Sequence, residues 1–368
     1  MAARLSAEGI DVAFDETLGM VLDVAIEWRG NQIAPFAKAP WRHLPLEHPR
    51  FPPGMPPHLA RLSADFFCAP FCADDVEGSP AHGKTANSRW RLVDVSRSAP
   101  HSRAVFELCA TVAGASVTKT LLLIDHQPFL YQQHVLTGAD VRLPVAHHTM
   151  VDATGGIELR VSPVLFAETP ASPLESDPAM GRSVLAYPAR SADPASFPRA
   201  DGARTSLLSF PFSERQEDFA VLIDDQHGSD ALGWAIAFRR GHGDSVVLAK
   251  ATRQLPETML WFSNGGRTYA PWLGEHTEVL GIEMGCSYSS NGWAASIAAN
   301  PFSEAGIPTS VDVREGERTV VSYAMGAAPG LVRYVDGGFV TQSPETATAP
   351  VPFTRDLVTG DSLFQEMW

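Results

Sequence analysis

Val105-Phe106-Glu107-Leu108-Cys109-Ala110-Thr111-Val112 is followed, after Ala113-Gly114-Ala115, by Ser116-Val117-Thr118-Lys119-Thr120-Leu121-Leu122-Leu123-Ile124. Two β-rich runs joined by a short glycine-containing connection read as a hairpin. A third run, Phe129 to Thr137, ends at Gly138, and a fourth, Val141 to Val151, ends at Asp152 before Gly155-Gly156. Further short runs are Ala220–Ile223, Trp234–Phe238, Ser245–Leu248, Thr258–Phe262, Val279–Ser287 and Thr319–Met325. Short strands at regular spacing, separated by turn residues, imply a sandwich or barrel.

Composition points the same way. The 368 residues include 29 Gly and 29 Pro, the two residues least tolerated inside helices, so long helices are excluded. Hydrophobic residues make up 45 %, enough for a large core. The Pro49–Pro57 stretch must be irregular. Residues 168–204 carry six prolines and read as a long surface excursion, a plausible wall or lid. With no internal repeat and no boundary, the expectation is one all-β domain over residues 1–368 with few short helices.

The formal net charge of −14 disfavours binding to a phosphate backbone, so no nucleic-acid partner is expected. No window approaches the length of a membrane span, and no membrane partner is expected either. Cys68, Cys72, Cys109 and Cys286 are too sparse for a disulfide scaffold, and the first twenty residues hold no apolar leader. The expected setting is the cytoplasm, with free thiols. Cys68 and Cys72 form one CxxxC with no second pair, so no metal site is expected. Oligomeric state is not legible.

Four segments interrupt apolar or glycine-rich runs with polar groups. In Leu280-Gly281-Ile282-Glu283-Met284-Gly285-Cys286-Ser287-Tyr288, alternation puts Ile282, Met284, Cys286 and Tyr288 on one bulky face. Glu283 shares the other with Gly281, Gly285 and Ser287, which suggests open space around its carboxylate. His147 and His148 are adjacent in a strand and point to opposite faces, which argues against a shared metal. His82 precedes Gly83 in a turn, with Asn87 and Arg89 close behind. Trp261 to Trp272 combines aromatic rings, an Asn-Gly-Gly turn and Arg267, the mixture of apolar faces and polar donors that a sugar ring requires.

Together these segments resemble the galactose mutarotase-like, aldose 1-epimerase-related family. The opening Trp28-Arg29-Gly30-Asn31-Gln32-Ile33-Ala34-Pro35 with Ala39-Pro40-Trp41 is similar to the family's start, as is Asp65-Phe66-Phe67-Cys68-Ala69-Pro70-Phe71 followed by the His82-Gly83 loop and Trp90. His148-Thr149 is similar to the strand carrying the family's second histidine, and Leu280-Gly281-Ile282-Glu283 to the late strand ending in its catalytic glutamate. The ordered set spans roughly residues 20 to 325. The resemblance implies a large antiparallel β-supersandwich with a carbohydrate cleft, and an isomerase that interconverts sugar anomers without a cofactor. By position, Glu283 would be the base that takes the anomeric proton and His148 the acid that protonates the ring oxygen. His82 would orient the sugar, with Asn87, Arg267, Trp261 and His147 as further contacts.

Departures from the family pattern shape the expected substrate. Met150 follows His148-Thr149 where an aromatic pair is usual, and His147 stands where Asn is frequent. Ala86 occupies the place of the arginine of the sugar-phosphate branch, so the expected substrate is a free, unphosphorylated sugar. The alternatives are a non-catalytic carbohydrate-binding protein on the same fold, or a lyase or hydrolase. Glycoside hydrolysis draws on two carboxylates, and the sequence offers one well-placed candidate.

Overall fold

Alternation along the strands sorts side chains into layers, and the layers explain the architecture. In the computed structural model, which describes residues 2–225, 232–343, 346–360 and 364, two large sheets are present. One has eleven strands. Its centre runs through Asp65–Cys68, Val145–Asp152, Val279–Cys286, Glu257–Asn264 and Gln216–Asp224, each antiparallel to the next. The other has nine, with Leu232–Arg239, Asp244–Ala251, Thr319–Pro329, Phe129–Thr137, Ser116–Ile124, His101–Leu108 and Trp90–Ser98 in spatial order. Helices among the described residues are short, so the all-β expectation is met.

The main core lies between the sheets. Phe67, Val145, Val151, Ile282, Met284 and Cys286 of the first sheet belong to the same cluster as Phe106, Leu121, Leu123 and Leu130 of the second. The opposite face of the first sheet carries Phe66, Cys68, Ala146, Met150, Phe219, Met259 and Trp261, covered by Trp41 and Trp272 from loops and Phe302 from the short helix Pro301–Glu304. The outer face of the second sheet is covered by a three-stranded sheet, Leu331–Val335, Gly338–Ser343 and Thr346–Val351, together with the short helix Asp356–Thr359.

The second strand of the expected hairpin, Ser116–Ile124, lies where it was expected, and the first lies four residues earlier than expected. That first strand is His101–Leu108, because Ala113 and Gly114 (φ 45° and 85°) form a tight turn closed by a bridge between Val112 and Ala115. The expected single strand over 141–151 is two strands. Val141–Leu143 pairs with Val311–Val313, and Val145–Asp152 enters the large sheet. Pro144 sits at the break, because it has no N–H to donate to a ladder. The strands of residues 2–28 and the C-terminal sheet were not expected from the sequence. The expected domain of 1–368 includes residues 1, 226–231, 344–345, 361–363 and 365–368, which lie outside the described residues.

A polar island sits inside the main core, directly behind the site. The Asp65 carboxylate accepts from Gln132 Nε2 (2.7 Å), Thr149 Oγ1 (2.8 Å) and His147 Nδ1 (3.1 Å), all fully buried. Thr149 in turn accepts from the Tyr323 hydroxyl at 2.7 Å. Burial alone would raise the Asp65 pKa, but His147 and the three donors hold it below the ordinary carboxylate value. Asp65 therefore contributes stability that is present above the unfolded carboxylate pKa and is lost as pH falls through its lowered folded value. Asp65→Ala leaves three buried partners unpaired, and a loss of about 3 kcal/mol or more in denaturant unfolding is expected. The conservative Asp65→Asn variant should lose less at neutral pH and show weaker acid dependence.

Candidate functional site

The site follows from strand register. His148 and Glu283 are direct partners across the Val145–Asp152 and Val279–Cys286 ladder. Both point to the face away from the main core, and Glu283 Oε1 lies 3.2 Å from His148 Nε2. Glu283 is 2 % exposed and His148 6 %. Burial pushes the Glu283 carboxyl up to about 8. The His148 imidazole is driven down to about 3, chiefly by burial, with His58 adding to the effect. Burial therefore favours a carboxylic acid facing a neutral imidazole, and the acid proton is the one the pair can pass between its members.

Above this pair is a cavity of about 170 Å³ with an opening to solvent. His82 enters it from the turn before Gly83–Asn87, with φ 66°. Its ring meets His148 edge-on at 5.4 Å and packs against Phe66 and Phe71. Cys72 N–H donates to His82 Nδ1 at 3.4 Å, which leaves Nε2–H as the donor. Gly83 (φ 69°) is required here, because a Cβ would stand 2.2 Å from the Ala69 carbonyl oxygen. Opposite His82 stands His58, centroid to centroid 5.1 Å. Its Nδ1–H donates to Asn87 Oδ1 at 2.9 Å, so Nε2 is an acceptor. Burial lowers His58 to about 4 and takes His82 well below its ordinary value.

The far wall is aromatic. Trp261 lies opposite Gly281 in the ladder and stacks on His276, with Trp272 edge-on at 5.8 Å. Its indole N–H donates to Glu217, which also accepts from Ser263 Oγ at 3.1 Å. The Arg267 guanidinium packs over Trp272 at 4.7 Å and Trp261 at 5.8 Å. Leu174, from the excursion at 168–204, closes one side.

Of the seven residues singled out from the sequence, Glu283, His148, His82, Trp261 and Arg267 line this cavity. Asn87 and His147 do not. Asn87 acts one step back, since its Nδ2 donates to the Ala81 and Gly83 carbonyls and its Oδ1 orients His58. His147 points into the main core, stacked on Tyr323 and bonded to Asp65, as the alternation of neighbouring strand residues requires. The expectation that it contacts a sugar is therefore corrected. The glycines beside Glu283 leave no void either: the space at Gly281 is taken by Trp261 and by Glu283 Oε1, and that at Gly285 by Met259. Tyr288 lies beyond the strand end and packs on Phe302 rather than in the main core.

His58, Glu217 and His276 were not singled out from the sequence. His58 sits in a proline-rich turn with no pattern of its own, and Glu217 precedes the apolar run that marks its strand. Among the described residues, no group of three His, Cys, Asp or Glu is arranged to hold a metal ion, and no helix is long and apolar enough to cross a membrane. All four cysteines are free thiols.

No family model matches the sequence, and no curated protein is similar to it. Solved structures do match in fold. One is an Escherichia coli K12 protein provisionally named an aldose 1-epimerase, with TM-score 0.56 and 12 % identity over 89 % of this chain and 99 % of that one. A galactose mutarotase-like protein from Lactobacillus casei gives 0.54 and 10 % over 89 % and 100 %. A galactose mutarotase related enzyme from Lactobacillus acidophilus gives 0.53 and 11 % over 89 % and 97 %. The fold is thus that of the galactose mutarotase-like β-sandwiches.

The seat of Trp261 gives a direct test of this geometry. A Cβ at position 281 would come within 2.9 Å of Trp261 Cβ. Gly281→Ala should cost about 1–3 kcal/mol in chemical denaturation through overpacking. Gly202→Ala, where φ is 83° but nothing lies within 4 Å, isolates the backbone cost of a left-handed residue and should cost about 1 kcal/mol.

Proposed function

We propose that the protein is an aldose 1-epimerase-like isomerase that interconverts the anomers of a free sugar by opening and reclosing its ring. The observation that carries this reading is the His148–Glu283 contact at the floor of an aromatic-walled cavity. Ring opening of a cyclic hemiacetal requires one proton removed from the anomeric hydroxyl and one delivered to the ring oxygen. A carboxylate and an imidazolium do both without net proton exchange with solvent. The neutral pair already holds the one proton needed, and its transfer from Glu283 to His148 across 3.2 Å produces the base and the acid.

In the forward half-reaction, Glu283 takes the O1 proton, C1 becomes a carbonyl, and the C1–O5 bond breaks as His148 protonates O5. Rotation about C1–C2 presents the other face of the carbonyl, and the two transfers run in reverse to close the ring. His82 Nε2–H and the His58 Nε2 acceptor are suited to hydroxyl groups, and the Trp261 face to the apolar C–H face of the sugar. Among the described residues Glu283 is the one carboxylate that lines the cavity, which favours this chemistry over glycoside hydrolysis. A cytoplasmic location fits the free thiols.

Polarimetry or NMR exchange spectroscopy on a panel of pure anomers tests the proposal. Glu283→Gln and His148→Ala should each lower the catalysed rate by about a hundredfold or more. Unchanged rates in either variant would remove the mechanism.

The pH profile has a defined sign. Loss of the shared proton leaves a carboxylate facing a neutral imidazole, with no acid for the ring oxygen. The kcat/KM value should therefore fall as pH rises through about 8, the raised value of Glu283. It should stay level on the acid side, because a second proton enters the pair only near the lowered value of His148, about 3.

A further inference from the structure

We propose that the cavity is built for an aldose carrying a carboxylate, a sugar acid such as a uronate, and that Arg267 is the residue that recognises it. This rests on the epimerase reading of the same cavity and adds the class of substrate to it.

Among the described residues, Arg267 is the only lysine or arginine that lines the cavity. The three histidines around it are held neutral by burial, so the guanidinium is the one fixed positive charge a guest meets. It is mostly enclosed, with 14 % of its side chain exposed. It makes no hydrogen bond among the described residues. Glu217 Oε1 stands 3.4 Å from Nε, and Nε itself is buried without a hydrogen-bond partner. Glu217 is committed elsewhere, to the Trp261 indole and the Ser263 hydroxyl. It supplies a counter-charge behind the guanidinium and leaves the five N–H donors unused.

A buried N–H such as that of Nε is costly to leave unpaired. A hydroxyl group is neutral and offers a single oxygen, whereas a carboxylate presents two coplanar oxygens that match the planar fork with two parallel bonds and adds an opposite charge. A phosphate would bring up to two charges to a single cation, with no second lysine or arginine in the lining to share them.

Position agrees with chemistry. The guanidinium packs on Trp261, and the ring of Trp261 also meets the His148 ring at 5.5 Å. A sugar ring laid along Trp261 thus has its anomeric end at the acid–base pair and another edge within reach of Arg267.

The test compares sugars that differ only at C6: galactose against galacturonate and glucose against glucuronate. The kcat/KM for anomer exchange is measured for the wild type, Arg267→Lys and Arg267→Met, with binding followed in parallel by calorimetry. The uronate is expected to be preferred by tenfold or more, Arg267→Met to bring the two values together within about twofold, and Arg267→Lys to keep an intermediate ratio. Equal values in the wild type, or a preference that survives Arg267→Met, would overturn the proposal. If no sugar exchanges, the epimerase reading fails, and calorimetry still decides. Uronate binding tenfold tighter than that of the neutral sugar and lost in Arg267→Met upholds the recognition; equal or undetectable uronate binding overturns it.

Discussion

The arrangement depends on the register between two central buried strands, Val145–Asp152 and Val279–Cys286. Because His148 stands directly opposite Glu283, a proton donor and a proton acceptor share one face of the sheet. A slip of one residue would place His147 or Thr149 there and turn His148 into the main core. The register is fixed from behind: the same strand sends His147 and Thr149 to Asp65, and Gln132 of the second sheet reaches the same carboxylate. Core and cleft are two faces of one ladder, and the polar island that secures the first also aligns the second.

Burial then sets the charge state. Glu283, His148, His58 and His82 are withdrawn into the protein, and burial pushes each toward its neutral form. Arg267 differs from them in bringing a guanidinium cation to the same cavity. The cavity thus combines neutral groups able to exchange protons with one permanent cation resting on indole rings. Stacking on Trp272 and Trp261, with Glu217 at 3.4 Å behind it, lets that cation stay enclosed.

Much of the scaffold was legible in the sequence because strand alternation is a local property. Ile282, Met284 and Cys286 read as a core face and form one. The opposite orientations of His147 and His148 followed from the same rule. What remained hidden depended on contacts distant in the chain. His58 becomes part of the site because Asn87, twenty-nine residues later, orients its ring. Glu217 matters because Trp261 and Ser263 donate to it from the neighbouring strand. By contrast, the strands of residues 2–28 do carry a period-2 signal that was not singled out from the sequence, with Ile10, Val12 and Phe14 buried between more exposed neighbours. The glycines flanking Glu283 were read as open space, but their neighbours are the side chains of Trp261 and Met259. A missing side chain signals close approach without naming what approaches.

The environment of Trp261 has an optical consequence. Its indole N–H points at the Glu217 carboxylate, one face lies along the His276 ring, and the Arg267 guanidinium and the His148 ring complete its surroundings. Indole emission responds to the electric field and polarity at the ring, and here both are set by charged and titratable groups within one cavity. A guest seated there displaces solvent from the indole and alters the field across it. The protein therefore carries an intrinsic fluorophore at the point where a ligand would sit.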